Sequence, residues 1–346
     1  MLPVHYPKEL LTALDLLAVE LWGPPGPPRG EDAGRLQAYV CPVARNALAF
    51  LAAGGADAVD AVLFPHTCDT IQGLATLAHD FGGWRGRTLV FQHPRGPARP
   101  SARAFLEAEL RALAAGLEAL AGRRLTDERL ADALALHREI DALRGALLRA
   151  GDRLATSQRE LYALLRRGEW LWPEDHLAEL RLAHAALRDR PRHDGVPLLV
   201  TGYVPEPGAL IETIAQAGAW IAADDYAAVG RRVRTPARSA PGDDPWSGLM
   251  ADYWAAPPCP TRSADVSERV RHVLGLVEAS GARGAVLHVM KFCEPELFDL
   301  PALRAALAAR GVPALQLDSE LELEPSAQAV TRVEAFVEML SSGRGA

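Results

Sequence analysis

The chain holds 346 residues, 49% of them hydrophobic and 23% charged, with a formal net charge of −7. That is enough apolar material for a large core spread over two or three domains, and the acidic balance excludes the electrostatic footprint of a nucleic-acid or anionic-membrane binder. No apolar run reaches the ~18 residues of a membrane span, and the opening MLPVHYPKELLTALDLLAVELWG lacks the basic start and small-residue cleavage site of a secretory signal; we expect a cytoplasmic protein whose thiols stay reduced.

In chain order, residues 7–13 read as a short helix beginning after Pro7, and DLLAVELW (15–22) as a buried strand. GPPGPPRG (23–30) is a loop, because proline fixes φ and removes a donor. Residues 41–53 read as a helix with Cys41 in its first turn and a proline beside it. Strand 60–64, helix 69–80 and strand 87–92 follow, an alternation that argues for a parallel sheet covered by helices. From 101 to about 188 nearly every segment is helix-forming. Leu106, Leu110, Leu113, Leu117 and Leu120 form one apolar stripe, and Thr126 starts the next helix. The stripe lasts only about two heptads, so it reads as packing between helices rather than a coiled-coil seam. Gly151 and Gly168 interrupt the run, and RPRHDG (190–195) marks a boundary.

The alternation then resumes with strand 195–202, helix 209–218 and strand 219–224. Residues 231–264, rich in Pro, Arg, Ser and Asp, read as a long cover loop with a short helix near 246–254. Helix 266–280, strand 284–290, helix 301–310, strand 313–317 and helix 326–340 complete the chain. The expected class is α/β: two Rossmann-like or flavodoxin-like parallel-sheet domains, 1–100 and 191–346, with a helical subdomain at 101–190.

Four cysteines carry the most distinctive chemistry: Cys41, Cys68, Cys259 and Cys293. No two are close enough in sequence for a compact zinc motif. Cys68 and Cys293 each follow a strand and precede a helix, and Cys41 opens one. Open α/β sheets hold ligands at the carboxyl ends of their strands, and helix N-termini favour thiolates. Two readings stay open on these grounds. Either three thiolates converge in the inter-domain cleft on a zinc or iron–sulfur centre, or the cysteines are small buried apolar side chains. Cys259, between two prolines on a loop, is a fourth ligand or a spare.

Three segments together resemble the 2-hydroxyacyl-CoA dehydratase / benzoyl-CoA reductase family, in its D-component type of subunit. YVCPVAR resembles the first cysteine motif, with Cys41 and Arg45 matching and Pro42 and Val43 replacing the usual serine and aromatic. FPHTCDTIQ resembles the second, with Cys68 and Asp69 matching, and VLHVMKFCEPELFDLPALRAAL the third, with Cys293 matching. The opening and closing segments are also similar, so the likeness runs almost end to end. It implies a 4Fe–4S cluster held by Cys41, Cys68 and Cys293, with the fourth iron site open. It implies an acyl-CoA substrate and a related second subunit, in a heterodimer or a homodimer. It also implies a separate ATP-dependent iron–sulfur activator that delivers one electron. The reaction would be loss of water from a 2-hydroxyacyl-CoA through a ketyl radical, or alternatively reduction of an aroyl-CoA ring. A third option is a cluster-bearing electron-transfer partner without its own substrate. Pro42 lacks the serine hydroxyl, which favours a relaying rather than a substrate-binding role. The chain has no GxxxxGK[ST] loop and no GxGxxG, so neither ATP hydrolysis nor a nicotinamide is expected here.

Other residues are weighed by position. His66 is the candidate catalytic residue, a donor to substrate or cluster, with helix capping or solvent contact as its ordinary roles. Asp69 charges the first turn of its helix. Arg45 is a candidate for a CoA phosphate or for a structural ion pair. His93 and Arg95 follow another strand. The basic run RRVRTPAR (231–238) reads as a solvated loop, with contact to a CoA diphosphate or to the activator as the alternative, and the acidic run at 318–325 as a solvated strand exit.

Overall fold

The computed structural model describes residues 1–26, 36–153, 157–187, 194–235, 244–262 and 264–342. After α1 (Lys8–Ala13) and α2 (Pro42–Ala52), β1 (Ala61–His66), α3 (Asp69–Asp80) and β2 (Arg87–Gln92) form a small α/β unit whose two strands pair in parallel, Ala61 opposite Arg87. Phe64, Leu74, Leu48 and Trp84 are part of its core. The expected helical insert follows as α4 (Pro100–Ala121), α5 (Asp127–Arg149), α6 (Gln158–Arg166) and α7 (Pro173–Ala185). Four of the five stripe leucines are buried, packed with Leu10, Phe91 and Leu249. Thr126 caps α5 by accepting from the Arg129 N–H, and Ser157 with Glu160 makes a reciprocal capping box on α6. The DLLAVELW segment corrects the expectation: it forms no strand. Among the described residues no strand lies beside it, so its backbone bonds instead with Met1 and Glu169, and Leu17 and Val19 stay exposed.

The C-terminal unit contains β3 (Val196–Gly202), α8 (Ala209–Gln216), β4 (Ala219–Tyr226), α9 (Pro245–Ala255), α10 (Val266–Ser280), β5 (Gly284–Met290), α11 (Glu294–Ala309), β6 (Ala314–Ser319) and α12 (Ala327–Ser342). Its sheet is wholly parallel in the order β4-β3-β5-β6. Every residue of β5 is buried, as expected for a strand covered on both faces. Helix α11 starts seven residues before the expected 301, directly after Cys293, and keeps Pro301 inside it. Pro295 in its first turn provides the start that the sequence pattern assigned to Pro301. The chain leaves β3 in one direction to β4 and returns on the other side to β5. The carboxyl ends of β3 and β5 therefore flank a topological switch point. Gly202 lets the strands close there, because a side chain at that position would strike the His288 carbonyl and the Tyr226 ring.

The basic run at 231–238 is also corrected, as far as it is described: Arg231 is fully buried and Arg232 and Arg234 are ion-paired in the interior, while residues 236–238 lie outside the described residues. Asp225, at the end of β4, takes Arg269 of α10 and, at 3.3 Å, Arg231. Arg231 in turn pairs with Glu296 in the first turn of α11, and Thr201 of β3 donates to Asp225 at 2.6 Å. Burial opposes ionisation of Asp225, but the two guanidiniums outweigh it and hold the carboxyl well below the usual range. No helix among the described residues is long and apolar enough to cross a membrane.

Replacing Asp225 by alanine leaves two buried guanidiniums without their shared carboxylate. We expect a loss of about 3–5 kcal/mol, read as a lower urea midpoint with an unchanged slope. His288 offers a pH test. Tyr226 and Ser319 contact its two ring nitrogens at 2.7 and 2.6 Å, and burial lowers its pKa to about 4. The unfolded chain takes up this proton near ~6.5, so the depressed native value costs stability as pH falls from there towards 4. Between pH 7 and 5 the stability gap between the native chain and His288→Gln should therefore close by about 2 kcal/mol.

Candidate functional site

The ends of β1, β3 and β5 meet around one cavity of about 210 Å³ between the two α/β units. Cys41, Cys68 and Cys293 all line it. Each is the residue immediately before a helix: Cys41 before α2, Cys68 before α3, Cys293 before α11. The convergence follows from the topology, since β1 and β5 each deliver a thiol at a carboxyl end and α2 brings the third alongside. Pro42 at the first position of α2 removes only an N–H that the helix would leave unpaired. None of the three side chains makes a capping hydrogen bond, so first-turn N–H groups act on the sulfurs mainly as a positive field.

The three thiols differ. Contact with Cys293 lowers the pKa of Cys41, aided by the N–H groups of Val43 and Ala44. The same contact, with burial, pushes Cys293 up. Burial pushes Cys68 up to about 11. Among the described residues no three His, Cys, Asp or Glu side chains stand as a group that could hold one metal ion, so the thiols are not a closed single-ion cage. Cys259 lies apart. It is fully buried, accepts from Arg231 at 3.3 Å and contacts the Thr261 hydroxyl at 3.0 Å. Only its neighbours Pro260 and Thr261 reach the cavity wall.

His66 does not line the cavity. Its ring meets Gln92, lies 3.2 Å from Arg95 and 3.7 Å from Asp69, and the last two do line it. Asp69 occupies the first turn of α3 with an exposed carboxylate. Arg45 pairs with Glu320 at 3.1 Å, the structural role foreseen as one of its two options. His93 is buried against Tyr253, 2.9 Å from its hydroxyl. Tyr203 and Thr67 are among the lining residues that the sequence reading missed. Tyr203, directly after β3, is 4% exposed, and Thr67 is 1% exposed with its hydroxyl oxygen unpartnered. Tyr203 had a readable signal, as the first residue past a parallel strand; Thr67 had none. Phe292, in left-handed backbone at φ 60°, and Phe298, 78% exposed, form an apolar lip.

The family model for the 2-hydroxyglutaryl-CoA dehydratase D-component matches residues 3–340. The chain belongs to this family. It is similar to the lactoyl-CoA dehydratase subunit beta of Anaerotignum propionicum, at 26% identity over 98% of this chain and 90% of that one. It is similar to the (R)-2-hydroxyglutaryl-CoA dehydratase subunit beta of Acidaminococcus fermentans, at 25% identity over 98% and 91%. It is also similar to a benzoyl-CoA reductase subunit of Thauera aromatica, at 27% identity over 90% and 82%. The family match thus spans both α/β units and all three thiol-bearing helix starts.

Accessibility and thiolate character rank the thiols in the metal-free chain. With a maleimide under native conditions, peptide mass mapping should show Cys41, half-buried and with a lowered pKa, labelled first, Cys68 and Cys293, both with a raised pKa, later, and Cys259 only after unfolding.

Proposed function

We propose that this chain is the iron–sulfur subunit of a 2-hydroxyacyl-CoA dehydratase-type enzyme, with a 4Fe–4S cluster held by Cys41, Cys68 and Cys293. The observation that carries the reading is the meeting of three free thiols, each before a helix, in one cavity at the sheet's switch point. The donor set fits. A polynuclear centre binds its thiolates on different irons and spaces them more widely than one tetrahedral ion does. The unpartnered hydroxyl of Thr67 likewise suits a cavity built to hold a group. Bound there, such a cluster would supply one-electron transfer and a Lewis-acidic iron for an acyl oxygen.

The protein's own groups have distinct tasks in this proposal. The N-termini of α3 and α11 offset part of what holds Cys68 and Cys293 above the usual thiol range, and Cys41, before α2, is already lowered. Phe292 and Phe298 limit water at the mouth, and Tyr203 presents a hydroxyl to whatever enters. His66 acts through Arg95 and Asp69, which line the cavity, and holds them at its rim. The relatives are named as subunits, so a second, related subunit is part of the proposal, as is a separate ATP-dependent iron–sulfur activator that supplies the electron. Substrate would be a 2-hydroxyacyl-CoA that loses water after one-electron activation. On this reading the chain works in the cytoplasm, in keeping with four free thiols. Pro42 in place of serine leaves no hydroxyl beside Cys41, which favours electron relay to the partner over substrate binding by this subunit.

Anaerobic purification beside Cys68→Ala and Cys259→Ala tests the site. Equal iron and acid-labile sulfide with broad visible absorption are expected in the native chain and in Cys259→Ala, and their loss in Cys68→Ala. Zinc alone, or iron that survives Cys68→Ala, would sink the cluster assignment.

A further inference from the structure

A second cavity, of about 130 Å³, lies where the N-terminal segment, the helical insert and the turns at 230–234 and 260–262 meet. Six cations line it: Lys8, Arg144, Arg231, Arg232, Arg234 and Arg262. Arg231 is already matched by Asp225 and Glu296. Lys8 and Arg232 share Glu20, at 2.9 and 2.7 Å. Arg234 takes both Glu9 and Asp141, at 2.6 Å each. The other two form no ion pair with a carboxylate among the described residues. Arg144 is 6% exposed, and among the described residues it donates to the Leu165 carbonyl at 2.6 Å. Arg262 donates to the carbonyls of Tyr253, Ala256 and Pro257, and its Nε is buried without a partner.

With Arg231 set against its own carboxylates, the three carboxylates Glu9, Glu20 and Asp141 face the remaining five cations. That leaves an excess of two positive charges in a largely desolvated space. A buried guanidinium satisfied only by carbonyls is unfavourable unless a counter-charge reaches it. The carboxylates that act on Arg144, namely Asp141, Glu20 and Glu169, are each taken by another cation, and His137 and His176 on the same wall are held neutral by burial, with values near 4 and 3. Leu110, Ile140 and Leu249 add apolar walls suited to a short carbon skeleton.

We propose that this cavity binds a small organic dianion, a dicarboxylate or a phosphate monoester, with Arg144 and Arg262 as its principal ligands. The site is separate from the thiol cavity and goes beyond the function proposed above. Its test uses the full chain without metal, so it stands or falls apart from the cluster assignment.

The experiment is calorimetric titration at low salt with four probes: glutarate, glycerol 3-phosphate, butyrate and glycerol. Saturable binding of at least one dianion is expected, with butyrate weaker and glycerol inert. Glutarate alone would identify a dicarboxylate site, and glycerol 3-phosphate alone a phosphate-ester site. Arg144→Met and Arg262→Met should each weaken binding by about tenfold or more, as expected for a charge-assisted hydrogen bond, with Arg144→Lys intermediate and exposed Arg181→Met unchanged. Should a methionine variant fail to fold, the native chain still decides: its thermal midpoint should rise with the binding dianion and not with butyrate. Absence of both binding and a midpoint rise at millimolar dianion would overturn the proposal, as would undiminished binding by a folded Arg144→Met.

Discussion

The buried carboxylate of Asp225 is the point on which the site's geometry turns. Through Arg231, Arg269, Thr201 and Glu296 it joins the ends of β3 and β4, helix α10 and the first turn of α11. Apolar side chains could fill that volume at lower desolvation cost. They would not fix the angle at which α11 leaves the sheet, whereas a chain of directional hydrogen bonds does. That angle decides where Cys293 stands relative to Cys41 and Cys68. Arg231 extends the same control to the other side, because it also holds Cys259 and with it the turn that carries Pro260 and Thr261 into the cavity wall.

That turn is also a partition. Pro260 and Thr261 face the thiol cavity, while Arg262 faces the charged one. The helical insert and the N-terminal segment, which supply most of the second cavity, are therefore coupled to the first through three consecutive residues. The insert's interior is correspondingly polar: His137 bonds Thr12, Arg144 reaches Leu165, and Arg234 bridges α1 to α5 through Glu9 and Asp141.

Local periodicity made much of this readable. The bounds of α3 and β2 follow directly from apolar spacing and flanking breakers, and the three site cysteines were conspicuous because each marks a strand exit or a helix start. What escaped was non-local. DLLAVELW has the composition of a strand, but a strand needs a neighbour, and pairing partners are not written in a single segment. The basic run at 231–238 reads as solvated because its carboxylates lie far away in sequence, with Glu20 opposite Arg232 and Glu9 opposite Arg234. Thr67 carries no signal in the sequence, and only the convergence of three strand ends shows what its hydroxyl faces.

The thiol contact between Cys41 and Cys293 has a consequence for handling the protein in air. The two side chains come from different α/β units, each with its own sheet. Oxidative loss of two electrons from that pair would join the units by a covalent staple across the cleft. A metal-free chain exposed to oxygen would thus close its own site in one chemical step, and a thiol reductant, not refolding, would be what reopens it.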